Sequence, residues 1–127
     1  MKAQVAVEFM LIFGVFLIGI TIVVLATWNN IANAEKAALD FEAGRILNLI
    51  SSRINTAYLE GNGFSIGLSI PEKIGLNNYT LQLENNIMWL NVTGASYSRK
   101  LLTSNISGTL SWGENTLENV NGMVVIS

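Results

Sequence analysis

The 127-residue chain contains no cysteine and no histidine, and it has a single proline, Pro71. These absences exclude disulfide bonds, thiol and imidazole catalysis, and zinc sites of the usual kind. The seven basic and nine acidic residues nearly balance and form no basic stripe, so nucleic acid is not an expected partner. Because no proline occurs before position 71, the N-terminal half of the chain permits a long uninterrupted helix.

Sequence motifs of catalysis are also missing. The chain has no Gly-rich phosphate loop, no G-x-S-x-G nucleophile motif and no carboxylate cluster. Glu114 and Glu118 are four residues apart, but the Gly- and Asn-rich sequence around them predicts a solvated loop. We therefore expect no enzymatic activity, no metal site and no cofactor.

Formal charge is absent from residues 9–34. As a helix, residues 9–28 are about 30 Å long, which matches the hydrocarbon core of a bilayer. Glu8 lies at the edge of this apolar segment, where a carboxylate costs on the order of 2–3 kcal/mol if it must enter lipid. Lys2 precedes the segment, and the next basic residue is Lys36. The positive-inside rule therefore places the N-terminus in the cytoplasm.

A cleaved secretory signal is an alternative interpretation of the apolar segment. The triplet Ala32-Asn33-Ala34 matches the A-x-A cleavage pattern and would leave Glu35 as the first residue of the mature chain. Against it, the apolar run is longer than the usual signal core of about 7–15 residues and begins beside an acid. The sequence alone leaves this alternative open.

Helical periodicity continues beyond the apolar segment. Apolar residues recur at helical spacing as far as Ala57, and charged residues occupy the other faces. We predict one helix from about Val5 to about Tyr58, apolar on all sides in its first half and amphipathic in its second half. Gly61 is expected to end it, because glycine readily adopts the left-handed conformation of a helix C-cap.

Short segments with strand periodicity follow the predicted helix. They lie at residues 64–70, 79–83, 87–92, 97–102, 109–112 and 123–126, with a hairpin turn at Glu84-Asn85-Asn86. We expect a small antiparallel β-sheet packed on the amphipathic half of the helix, since the sheet alone would bury too little surface. The predicted fold class is α+β, with a long N-terminal helix and a β-rich C-terminal head.

Three N-x-S/T triplets occur in the β-rich part, with the acceptors Asn78, Asn91 and Asn105. We expect them in exposed ends or turns, which makes them candidate N-glycosylation sites in an extracellular domain. Chance occurrence is the alternative, because the chain is rich in Asn, Ser and Thr.

The sequence AQVAVEF at residues 3–9, followed by the apolar segment, resembles the class III signal peptide of archaeal type IV pilins. In that family a short basic leader precedes Gln-x-Ser-x-Glu-Phe, and the glutamine becomes the first residue of the mature protein. Gln4, Glu8 and Phe9 match by type and spacing. Ala3 and Ala6 stand where glycine and serine are usual. The resemblance covers the leader and the start of the helix only.

The resemblance implies a structural subunit with a type IV pilin-like fold. A prepilin peptidase is expected to cut between Ala3 and Gln4 on the cytoplasmic side, so that residues 1–3 are a leader peptide. Residues 4–34 then form the hydrophobic helix, first as membrane anchor and later as filament core. Residues 35–60 form its amphipathic continuation, and residues 61–127 the head domain. Identical subunits, an assembly ATPase and a membrane platform protein are the other expected partners.

By the same resemblance, the subunit leaves the cell membrane to join an extracellular pilus that serves surface attachment. Gln4, Glu8 and Phe9 are the expected assembly residues. Pairing of Glu8 with the free amine of a processed Gln4 would offset the desolvation of both groups. A carboxylate that merely rests in headgroup water is the alternative for Glu8. A minor pilin or adhesin, or a non-polymerising membrane-anchored surface protein, is the alternative for the chain.

Overall fold

A computed structural model describes all 127 residues and contains one helix and eight strands. The helix, α1, spans Lys2–Glu60. The strands are β1 (Ser65–Ile70), β2 (Lys73–Ile74), β3 (Asn77–Glu84), β4 (Ile87–Val92), β5 (Ala95–Lys100), β6 (Ile106–Ser107), β7 (Gly113–Val120) and β8 (Met123–Ile126). The fold is therefore α+β, with one long N-terminal helix.

The end of α1 lies close to where the sequence predicts it. Gly61 follows the helix directly and has a φ angle of 89°. This left-handed conformation is open to glycine because it has no Cβ to clash with the backbone.

The chain divides into two compact units, residues 1–38 and residues 39–127. In the first unit no side chain of α1 is buried. The helix is long and apolar enough in this part to cross a membrane.

The second unit contains two four-stranded sheets. The first has the strand order β1-β7-β8-β6, and the second has the order β2-β3-β4-β5. Neighbouring strands are antiparallel except β6 and β8, which pair in parallel. The expectation of a single antiparallel sheet was wrong on both counts. The strands form two sheets, and residues 101–105 carry the chain to the free side of β8, where β6 pairs in parallel.

One apolar core fills the second unit. From α1 it contains a stripe at helical spacing, formed by Ala43, Ile46, Leu47, Ile50, Ile54 and Ala57. Alternate residues of the strands complete it, among them Leu68, Ile70, Met88, Leu90, Val92, Leu117 and Val124. Both sheets thus bury one face against the amphipathic part of the helix.

The strand expected at residues 109–112 does not form, and β7 instead covers the segment around Glu114 and Glu118 that was expected to be a loop. Asn115 explains the difference. Its side chain is 3% exposed and makes four hydrogen bonds of 2.8–3.1 Å to Ser111 and Gly113. These bonds hold residues 111–113 in a turn, so that the extended backbone begins only at Gly113.

Candidate functional site

The residues expected to act in assembly lie near the start of α1. Gln4, Glu8 and Phe9 are all exposed on this helix. The ring of Phe9 stacks on that of Phe13, one turn along, with centroids 6.1 Å apart. Glu8 makes no ion pair within the chain, because the only salt bridge joins Arg45 to Glu42 at 2.9 Å. The structure therefore brings Glu8 to the edge of the apolar surface without a basic partner of its own.

The two threonine hydroxyls inside the apolar segment are satisfied by the helix itself. The hydroxyl of Thr21 donates to the carbonyl of Leu17 at 2.8 Å, and that of Thr27 donates to the carbonyl of Val23 at 2.8 Å. The segment therefore presents no unpaired hydroxyl to its surroundings. Its surface suits lipid or other apolar helices equally well.

A shallow apolar groove runs along the same helix around Gly19. Its walls are Val15, Phe16, Ile20, Val23 and Val24. Because Gly19 has no side chain and its surroundings are open, the backbone of another helix can approach closely at this point.

The three sequon asparagines lie at separate places in the second unit. Asn78 is exposed near the start of β3, and Asn105 is exposed in the connection before β6. Asn91 lies inside β4 and is partly buried, and its Oδ1 accepts a hydrogen bond from the Ser96 hydroxyl at 2.5 Å. The expectation of exposed ends or turns was therefore wrong for Asn91, which sits between two neighbouring strands.

Asn119 is a structural residue that sequence reasoning missed. It is 1% exposed on β7, and its Nδ2 donates to the carbonyls of Ala57 and Tyr58 at 2.9 and 3.1 Å. Its Oδ1 accepts from the backbone N–H of Gly122 at 2.9 Å. One side chain thus caps the C-terminus of α1 and fixes the β7–β8 turn. The signal in the sequence is the alternation Asn115-x-Leu117-x-Asn119, in which two of three buried positions are polar.

Two tyrosines on the strands form hydrogen bonds to other segments, Tyr79 to the loop after β1 and Tyr97 to the helix α1. The hydroxyl of Tyr79 donates to the carbonyl of Pro71, and burial raises the pKa of Tyr79 to about 12. The hydroxyl of Tyr97 donates to the carboxylate of Asp40, and this hydrogen bond raises the pKa of Tyr97 above its ordinary value. Both groups are neutral donors at physiological pH and serve packing.

A cleft of about 250 Å³ separates β3 from residues 106–110. Its walls include the apolar side chains of Leu81, Leu83, Ile106 and Leu110, and none of its lining residues is ionisable. Elsewhere, no group of three His, Cys, Asp or Glu side chains is arranged to hold a metal ion. No buried side-chain nitrogen or oxygen lacks a hydrogen-bond partner. The most unusual surface of the molecule is therefore the apolar helix of residues 9–34.

Comparison of the chain with protein-family models, with curated proteins and with solved structures gave no match.

Proposed function

We propose that the chain is the structural subunit of an archaeal type IV pilus, which polymerises through α1 into an extracellular filament. The observation that carries this proposal is the exposure of an uncharged helical surface over residues 9–34, with the acid Glu8 at its N-terminal edge. The AQVAVEF motif at residues 3–9 supports it as a resemblance.

The physical argument starts from the apolar surface. A helix that is apolar on every side must be covered on every side, either by lipid or by other apolar helices. Burial stabilises each large apolar side chain by roughly 1.5–3 kcal/mol, so helices removed from lipid are strongly driven to bundle. Identical subunits that repeat one head-to-tail contact without closing form a helical filament.

Glu8 distinguishes a filament from a simple anchor. Inside a helical bundle, an unpaired carboxylate is strongly unfavourable, on the order of 3–5 kcal/mol when its partner is missing. The chain supplies no side-chain partner for Glu8. Cleavage between Ala3 and Gln4 creates a new amine four residues away, and this amine, from the same or a neighbouring subunit, is the partner that we propose.

The proposal also includes the cellular pathway. A prepilin peptidase removes residues 1–3 at the cytoplasmic face of the membrane, and the subunit waits in the membrane with its apolar helix in lipid. An assembly ATPase and a platform protein then transfer it to the filament, in which the heads form the outer surface. Surface attachment is the role that we propose for the filament.

A membrane-anchored surface protein that never assembles is the second candidate. The exposed apolar segment favours it too, because that segment is long enough to span a bilayer on its own. In this case Glu8 rests in headgroup water and needs no partner.

Substitution of Glu8 separates the two candidates. Cells producing Glu8→Gln or Glu8→Ala are sheared, and the released material is inspected by negative-stain microscopy and probed for the chain. We expect filaments from the unmodified protein and few or none from either variant. Glu35→Gln, which removes the acid at the other end of the uncharged segment, should assemble normally. If the unmodified chain stays in the membrane fraction and occurs in no filament, the proposed function is wrong.

A further inference from the structure

The two sheets end in four strands, of which β2 and β6 have only two residues each and β1 and β5 have six. β1 ends the first sheet, and β5 ends the second. The cleft between β3 and residues 106–110 shows that the β6 end of the first sheet lies beside the β3 side of the second. β1 and β5 are therefore the end strands of the two sheets on the sides away from this cleft.

The register shows which backbone groups of β1 point outward. Thr116 exchanges both backbone hydrogen bonds with Ser127, at 2.7 and 2.9 Å, so the even-numbered residues of β7 bond toward β8. The odd-numbered residues of β7 bond toward β1, where they face Ile66, Leu68 and Ile70. The alternate residues of β1 direct their N–H and C=O groups to the open edge. These are Ser65, Gly67 and Ser69, all exposed.

β5 has the same arrangement. The two-residue turn between β4 and β5 is closed by the pair Val92 and Ala95, so Ala95, Tyr97 and Arg99 bond toward β4. The remaining residues of β5 direct their backbone groups outward. These are Ser96, Ser98 and Lys100, all exposed.

Within residues 65–70, the edge of β1 lacks the features that normally prevent strand pairing. Proteins protect an open edge with charged side chains, an internal proline, a bulge or a very short strand. β1 is six residues long, contains no charged residue and has its proline, Pro71, only after the strand. Such an edge is a template for an added strand.

Charge favours a particular partner for this edge. Glu118 lies opposite Ser65 and Glu114 opposite Ser69 in the neighbouring strand β7, and both carboxylates are exposed. β5 carries Arg99 and Lys100, also exposed, and these charges protect its edge against strands that bring no acidic surface. The surface beside the uncharged β1 edge is thus acidic, and the β5 edge is basic.

We propose that β1 of one copy adds antiparallel to β5 of the next copy, which joins the first sheet of one head to the second sheet of its neighbour. Both strands have six residues. In the matching register Ser65 faces Lys100, Gly67 faces Ser98 and Ser69 faces Ser96. This register places Lys100 and Glu118 in the same row on the solvent side, two strands apart and with about 10 Å between their Cα atoms, with the small Ser65 between them. It also keeps the solvent-facing residues of the two strands on one side.

The contact is heterologous, because each copy contributes two different edges. Repetition therefore links the heads from copy to copy and does not close a dimer. The inference rests on the proposed function, of which it specifies the contact between heads in the filament.

Cysteine cross-linking tests the contact in the full chain, which has no cysteine of its own. Opposed residues of a hydrogen-bonded antiparallel pair have Cα atoms about 5.5 Å apart, within the range of a disulfide. A chain carrying both Gly67→Cys and Ser98→Cys should form a ladder of disulfide-linked multimers when cells are mildly oxidised. Gly67 has open space at its Cβ position and accepts the new side chain.

The control combines Thr116→Cys with Ser98→Cys. Thr116 lies beside Gly67 in the same row of the sheet and is equally exposed, but one strand further from the edge. We expect at least a tenfold lower yield of multimers from this control. Equal yields of multimers from the double variant and from this control would overturn the proposed pairing. Efficient dimer formation by the single variant Gly67→Cys, without a ladder from the double variant, would also overturn it, because it would indicate that β1 pairs with β1.

Charge exchange gives an independent measurement. Lys100→Glu should reduce the cross-linking yield in the Gly67→Cys, Ser98→Cys background, and Glu118→Lys added to it should restore the yield. If Lys100→Glu lowers the cross-linking yield and Glu118→Lys does not restore it, the proposed register is wrong. Filaments that assemble without any cross-linking would overturn the strand pairing and leave the pilus function standing. Cross-linked ladders in membranes that never release filaments would support the pairing and overturn the pilus function.

Discussion

Replacement of Asn119 by leucine tests how the head is attached to the end of α1. The Asn119 amide donates to two carbonyls in the last turn of the helix and accepts from the N–H of Gly122. Leucine has a similar volume, so the substitution removes the three hydrogen bonds without leaving a large cavity. The two carbonyls belong to the helix end, where no partner is available within the helix.

The size of the effect follows from these contacts. A typical hydrogen bond contributes about 1 kcal/mol net, and a buried group left without a partner costs about 1–3 kcal/mol. Partial hydration of the helix end reduces the cost of leaving the two carbonyls without a partner. We therefore expect Asn119→Leu to lower the free energy of unfolding by about 3 kcal/mol, a large part of the 5–15 kcal/mol typical of a small domain.

Urea unfolding of the detergent-solubilised chain, followed by near-ultraviolet circular dichroism, measures this loss. With a denaturant slope of about 2 kcal/mol per molar, the midpoint should fall by roughly 1.5 M. Asn78→Leu is the matched control, because Asn78 is exposed on β3, and its side chain makes no hydrogen bond within the chain. That control should shift stability by no more than about 0.5 kcal/mol. Equal, small shifts for both variants would refute the capping role of Asn119.

Two further predictions concern the second unit. Gly108 and Gly113 have φ angles of 98° and 90°, so alanine at either position adds about 1–2 kcal/mol of backbone strain. Only at Gly108 would the new Cβ also overlap the carbonyl of Ile126, and the urea midpoint should therefore fall clearly further for Gly108→Ala than for Gly113→Ala. Equal midpoints would contradict the close approach of β6 to β8. For Tyr79, whose pKa is raised in the folded state to about 12, the contribution to stability is complete below pH 10 and is lost as pH rises to 12. The unmodified chain should lose more stability than Tyr79→Phe over this range, and parallel pH profiles would contradict the burial of the phenol.

Much of the fold could be predicted from periodicity. α1 and the hairpin strands β3 and β4 show clear helical or alternating patterns, and the structure places them within a few residues of their predicted bounds. β7 could not be recognised because buried asparagines occupy positions that an apolar residue would normally mark. Those asparagines are satisfied by distant or turn carbonyls, such as that of Ala57, which a local pattern does not reveal.

The candidate sites also differ in whether the sequence alone could reveal them. Gln4, Glu8 and Phe9 could be identified from spacing along one helix, because a short motif and a charge-free segment are local features. The open edges of β1 and β5 depend on strand order, which the sequence leaves undetermined because its short strands allow several pairings. The parallel pairing of β6 with β8 and the division into two sheets decide which edges stay open.

N-terminal sequencing of the chain recovered from sheared surface filaments tests the central proposal most directly. The proposed function predicts that the mature chain begins at Gln4, with the apolar segment retained and a free amine close to Glu8. A mature chain that begins at Glu35 would contradict it, because removal of residues 1–34 takes away the helix that is proposed to form the filament core.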